Sequence, residues 1–164
     1  MIITKTFSTP LGNMIAGATP RGLCLLEFTD RVEFDKQILS LKKYFQTDII
    51  EGESPYLEKT MQQISEYFKG ERKTFDIVFD IAGTEFQKEV WKELQNIPYG
   101  KTCSYVEQSE NMNRKKSVRA VATANGNNKI AIIIPCHRVI GKNGSLSGYA
   151  GGIDRKKFLL DLES

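Results

Sequence analysis

Apolar residues open the chain in three short stretches, residues 2–7, 14–18 and 23–28, separated by the turn-forming clusters Pro10-Leu11-Gly12 and Pro20-Arg21-Gly22. That rhythm predicts a small antiparallel meander. The period then changes: Phe34, Ile38, Leu41 and Phe45 recur at helical spacing, as do Leu57, Met61, Ile64 and Phe68. Two amphipathic helices are expected, the second stopped by Gly70. Phe75, Ile77 and Phe79 alternate as in one further strand. The first half therefore reads as a small antiparallel sheet with helices.

From Thr84 the pattern is helical. Thr84-Glu85-Phe86-Gln87 has capping-box spacing ahead of Phe86, Val90 and Leu94, and Ile97-Pro98-Tyr99-Gly100 ends that helix. Ser104-Tyr105-Val106-Glu107 is a second capping box, and residues 117–124 form another helix that runs out at Asn125-Gly126. The expected fold class is α+β: a domain over 1–80, then a mostly helical domain over 81–164 containing a helix-turn-helix. By pattern alone the helix pair is also an ordinary αα-hairpin, so nucleic-acid binding stays open.

The 164 residues hold no apolar run of bilayer length, and the N-terminus has neither a charged start nor an apolar core of leader type. A soluble chain without a membrane role, kept inside the cell, is the expectation. Cys24, Cys103 and Cys136 are odd in number and far apart, which suits a reducing compartment and no disulfide framework. The chain has one histidine, His137, so no metal site is expected. Charge is uneven: residues 1–85 carry 10 Lys/Arg against 13 Asp/Glu, whereas residues 86–164 carry 13 against 7. The second half is the candidate anion-facing half. Ordinary scatter of solvated charge accounts for the same figures.

Candidate chemistry concentrates where the apolar run 130–134 meets Pro135-Cys136-His137-Arg138-Val139. Proline lacks an N–H, so the chain should leave regular pairing where the cysteine sits. A thiol needs a base or a positive field to become the nucleophilic thiolate at neutral pH. An isolated Cys-His step is more often structural, since buried cysteine behaves as a small hydrophobe. The glycine-rich stretch around Tyr149, Gly144-Ser145-Leu146-Ser147-Gly148-Tyr149-Ala150-Gly151-Gly152, can approach a flat ligand closely.

These motifs resemble the O6-alkylguanine-DNA alkyltransferase family. The likeness runs through Gly83-Thr84-Glu85-Phe86-Gln87, Val90-Trp91, Ile97-Pro98-Tyr99-Gly100, Ser104-Tyr105 and Arg119-Ala120-Val121. It continues through Ile134-Pro135-Cys136-His137-Arg138-Val139, Gly148-Tyr149-Ala150-Gly151-Gly152 and Glu163. Thr9-Pro10-Leu11-Gly12 and Leu26-Glu27-Phe28 extend it into the first domain.

The resemblance implies direct reversal of DNA damage. Cys136 would take the alkyl group from O6 of guanine, and O4-alkylthymine is a second substrate it brings into view. His137 would activate the thiol through a bridging water, Glu163 would orient the imidazole, and Tyr105 would serve guanine N3. The thioether product would be permanent, so each molecule would act once. Val139, Tyr149, Ala150, Gly151 and Asn128 would build the substrate pocket. Arg119 would fill the gap left by a flipped nucleotide, carried on a helix that brings Ser117 and Ala120 to the minor groove. The implied partner is double-stranded DNA carrying O6-alkylguanine, bound by a monomer with no cofactor and no obligate protein partner.

Asn113, Lys115, Ala122 and Lys129 depart from the family's usual glycine or proline at their positions, leaving the turn before Arg119 unspecified. Arg114, Lys115 and Lys116 add positive charge there, expected to meet phosphates and steepen the salt dependence of binding. Two competing functions remain: a lesion-binding protein without repair, disfavoured by the presence of Cys136, and a cysteine hydrolase using Cys136 and His137.

Overall fold

The structure is a computed structural model that describes all 164 residues. It divides into two compact units, Met1–Ala82 and Gly83–Ser164. No helix is long and apolar enough to cross a membrane.

In the first unit, β1 (Ile2–Thr9), β2 (Gly12–Thr19) and β3 (Gly22–Phe28) form the expected meander. The Thr9 hydroxyl closes the first turn by accepting from the Leu11 amide at 3.1 Å. A fourth strand, β4 (Ile49–Glu51), lies parallel to β1 and gives the order β3-β2-β1-β4. Three residues are too few to display an alternation, so no periodic signal marks it. Helix α1 (Phe34–Phe45) precedes β4 and helix α2 (Pro55–Phe68) follows it, the latter capped by Ser54 with proline at its start. Leu41 of α1 joins Ile2, Cys24, Leu25 and Ala82 in one buried cluster. The alternating segment Phe75, Ile77, Phe79 is not a strand: it meets β3 through a single bridge, Leu23 with Phe79. Gly22 permits that approach, because a Cβ there would lie 2.6 Å from the Val78 carbonyl oxygen.

The second unit begins with α3 (Glu85–Leu94), whose Thr84/Gln87 capping box is complete. α4 (Tyr105–Asn111) has the Ser104/Glu107 box. α5 (Val118–Gly126) is entered through a 3-10 turn, Lys115–Ser117. The unspecified turn before Arg119 is made by Asn113 at φ 57°, the left-handed region that asparagine tolerates better than most residues. Two buried carboxamides join α4 to α5: Gln108 Nε2 donates to Asn125 Oδ1 at 2.9 Å, and Asn125 Nδ2 donates to Gln108 Oε1 at 2.7 Å. Trp91 of α3 donates to the Ala124 carbonyl at 2.8 Å, and the Lys129 ammonium sits 5.2 Å from its ring centroid.

The apolar run 130–134 is buried but is not a strand. It folds as successive tight turns, with Ile133 N bonded to Ala131 O at 2.8 Å and Ile132 held at φ 71°. A β-branched residue there is strained, so the packing around it must hold it. β5 (Cys103–Ser104) and β6 (Val139–Ile140) pair in parallel and bring the start of α4 beside the end of the cysteine turn. A last helix, α6 (Ile153–Glu163), had no periodic apolar signal, because its inward residues include Lys156 and Glu163 alongside Leu159.

Candidate active site

Cys136, His137 and Arg138 form a single 3-10 turn after Pro135, closed by the Arg138 amide donating to the Pro135 carbonyl at 3.0 Å. Cys136 is half-buried. His137 is fully buried, with Nε2 2.7 Å from Glu163 Oε2 on the last turn of α6 and Nδ1 without a hydrogen-bond partner. Burial holds the imidazole below its ordinary value and the positive charges of Arg138 and Lys156 act in the same direction, while Glu163 opposes them. A ring so placed stays neutral and keeps a nitrogen lone pair for proton transfer.

Asn128 ties this turn to the preceding segment. Its side-chain amide donates to the Ile134 carbonyl at 2.8 Å and reaches the Cys136 sulfur at 3.4 Å, while its oxygen accepts from the Ile130 amide at 3.0 Å. The sulfur is thus presented by a hydrogen-bonded loop rather than by a regular element.

Tyr105 opens α4 directly after β5, and its hydroxyl donates to the Ser147 carbonyl at 3.1 Å. Burial pushes this phenol up, and charge at Cys136 pushes it the same way, so it remains a proton carrier. Gly148 lies against it at φ 77°, where an added Cβ would stand 2.9 Å from the tyrosine oxygen. Val139 is buried, and Tyr149, Ala150 and Gly151 are half-buried in the segment after Gly148.

Two residues of this centre escaped the sequence reading. Arg138 donates through Nε to Glu163 Oε1 at 2.7 Å, through Nη2 to Oε2 at 3.1 Å and through Nη1 to the Ile97 carbonyl at 2.7 Å. Lys156 is fully buried and donates to the Val139 carbonyl at 2.5 Å and the Ser147 carbonyl at 3.0 Å. In sequence Lys156 stands between Arg155 and Lys157 and looks like part of a solvated basic face. Only the turn of α6 carries it inward.

Several of the residues expected at DNA line a groove of this unit. Lys116, Ser117, Arg119 and Ala120 line a groove of about 620 Å³ with Thr84 and Phe86 from the start of α3. Lys115, Lys116 and Arg119 are exposed. Arg114 differs from them, because its guanidinium forks onto Glu89 at 2.9 and 3.3 Å and sits 5.1 Å from the Phe86 ring centroid. Its charge is already partnered.

Comparison with known proteins places both units. Residues 2–81 match the family model described as the 6-O-methylguanine DNA methyltransferase ribonuclease-like domain, and residues 85–164 match the DNA binding domain of the same methyltransferase. A methylated-DNA–protein-cysteine methyltransferase of Methanosarcina acetivorans is 42% identical over 157 residues, covering 96% of this chain and 95% of its own. The Mycobacterium tuberculosis protein OGT, solved in complex with DNA, superposes with a TM-score of 0.85 at 38% identity over 98% of this chain and 92% of its own. The O6-methylguanine methyltransferase of the same organism gives a TM-score of 0.83 at 38% identity, covering 99% of this chain and 93% of its own.

Proposed function

Because the chain belongs to the 6-O-methylguanine DNA methyltransferase family, and so repairs DNA by alkyl transfer, we propose that Cys136 is the acceptor and that it works once. The observation that carries this reading is the buried His137, anchored through Nε2 to Glu163 at 2.7 Å and left with an unpartnered Nδ1 one residue from the cysteine.

In the proposed reaction Nδ1 takes the thiol proton through a bridging water, and the resulting imidazolium is stabilised by Glu163. The thiolate attacks the alkyl carbon in line. A carbon–sulfur bond forms as the carbon–O6 bond breaks, and the electron pair leaves on the guanine. Tyr105 neutralises that charge from N3, as a neutral phenol suits. The Cys136 and Val139 carbonyls accept from the exocyclic amine, and the Ala150 amide donates to O6, so base choice rests on backbone groups. Tyr149 and Gly151 complete the pocket wall.

A base inside a duplex must first be rotated out, at a cost of a few kcal/mol. Arg119 occupies the gap, with Ser117 and Ala120 close to the minor groove and Lys115 and Lys116 on phosphates. The protein acts on double-stranded DNA as a monomer without a cofactor. O4-alkylthymine would fit the same displacement, since it too carries an alkylated exocyclic oxygen.

Mass spectrometry after mixing the protein with a duplex containing O6-methylguanine tests the proposal. One added methyl group on the Cys136 peptide is expected, with no turnover beyond one equivalent. Repaired DNA beside an unmodified Cys136 would refute it. A parallel duplex with O4-methylthymine measures the second substrate.

A further inference from the structure

Glu163 is a buried carboxylate at the C-terminal end of a helix, where desolvation and the helix dipole both disfavour negative charge. Two guanidinium N–H groups and one imidazole nitrogen nonetheless converge on it. Arg138 supplies two, at 2.7 Å to Oε1 and 3.1 Å to Oε2, and Oε2 also stands 2.7 Å from His137 Nε2. Arginine has donors only, so both oxygens must accept from it. The guanidinium is itself fixed: Nη1 is held by the Ile97 carbonyl at 2.7 Å, and the Tyr99 ring centroid lies 5.8 Å from Cζ. Tyr99 in turn donates to the Leu162 carbonyl at 3.3 Å, beside Glu163.

We propose that Arg138 is a positioning residue: by holding Glu163 as an acceptor only, it fixes His137 as the tautomer protonated on Nε2 and leaves Nδ1 as the basic nitrogen. The inference rests on the relay proposed above. Without the guanidinium, the carboxyl at this helix end takes up a proton from solvent and turns it toward Nε2 as a hydrogen-bond donor, so that Nε2 becomes the acceptor. The ring proton then moves to Nδ1, which becomes a donor and can no longer take a proton from the thiol. Arg138 also divides the charge of Glu163 between two cations, the guanidinium and the imidazolium that forms when Nδ1 takes the thiol proton. The charged groups around the ring are Glu163, Arg138 and Lys156.

The chain has one histidine, so nitrogen NMR of the full protein labelled with nitrogen-15 shows a single imidazole. At neutral pH the wild type should carry its proton on Nε2. Arg138→Gln and Arg138→Met should shift it to Nδ1 and slow single-turnover methyl transfer roughly a hundredfold, within the range of a lost general base. Arg138→Lys, which keeps a cation, should keep the wild-type tautomer and recover most of the rate. A neutral variant that retains Nε2–H overturns the proposal. Where neither neutral variant folds, the wild-type spectrum decides: Nδ1–H or a doubly protonated ring at neutral pH overturns it, and Nε2–H with a bare Nδ1 supports it. Methylation of wild-type Cys136 is read separately by mass. Its absence defeats the relay reading, whereas the tautomers of the neutral variants bear on Arg138 alone.

Discussion

Replacing Asn125 with Leu removes both hydrogen bonds that join α4 to α5 and strands the carboxamide of Gln108, which is 1% exposed. Two neutral hydrogen bonds contribute about 1 kcal/mol each, and a buried unpaired amide adds about 1–3 kcal/mol of uncompensated desolvation, so the variant should lose about 3–5 kcal/mol. Gln108→Met should cost a similar amount, because it strands Asn125, itself 5% exposed. The double variant leaves no orphan. Two apolar side chains of nearly the original shape then face each other, and the double should cost at least about 2 kcal/mol less than the summed singles. Urea unfolding followed by tryptophan emission measures this unit specifically: Trp91 is the only tryptophan, is buried, and bonds to Ala124, the residue before Asn125. If the double costs as much as both singles together, the reciprocal pair is not a coupled unit. Since α5 carries Arg119, duplex affinity should follow the same order, with the singles weaker than the double.

Burial pushes the Glu27 carboxyl up to about 7 against the pull of Arg31 at 3.2 Å. A group raised above its ordinary 4.5 favours the folded state fully below that value and gives this up as pH rises through about 7. Glu27→Gln should therefore gain melting temperature relative to wild type from about pH 5 to about pH 8, whereas parallel curves would contradict it; the opposite slope from His137 cancels in the difference. Gly148→Ala forces a side chain into a φ of 77° and onto the Tyr105 hydroxyl, at about 1–2 kcal/mol of backbone strain. Single-turnover transfer should slow while duplex affinity holds, and an unchanged rate would show that Tyr105 is not placed by this contact. Replacing Lys115 and Lys116 with Ala should make the slope of log affinity against log salt shallower by up to about 1.8. Arg114→Ala should change it far less, because Glu89 already neutralises that charge; equal effects from all three residues would undo the distinction.

What could be read along the chain was what four or five neighbouring residues decide together. Thr84 with Gln87 and Ser104 with Glu107 are such signals, and both helices start where those boxes sit. The meander was equally legible, since its turns separate its apolar stretches. Residues 130–134 were legible as buried but not as an element, because burial on all sides reads alike in a strand and in packed turns. Residues 75–79 misled: their alternation is real, but β3 accepts only one bridging residue from them. In the candidate site, the cysteine, histidine and glutamate were named from family likeness, and no local pattern states the His137–Glu163 contact across 26 residues. Arg138 and Lys156 stayed hidden because charged side chains are ordinarily solvated, and only three-dimensional partners make them interior.

The position of Glu163 on the final turn of α6 also sets an order of events during biosynthesis. At about 5–20 residues per second, the ribosome adds the stretch from His137 to Glu163 in about 1–5 s, after the thiol has already been made. Throughout that interval Cys136 is an ordinary cysteine with no anchored imidazole beside it. On the relay proposed above, the thiol therefore gains its base only once α6 has docked and Glu163 stands against His137.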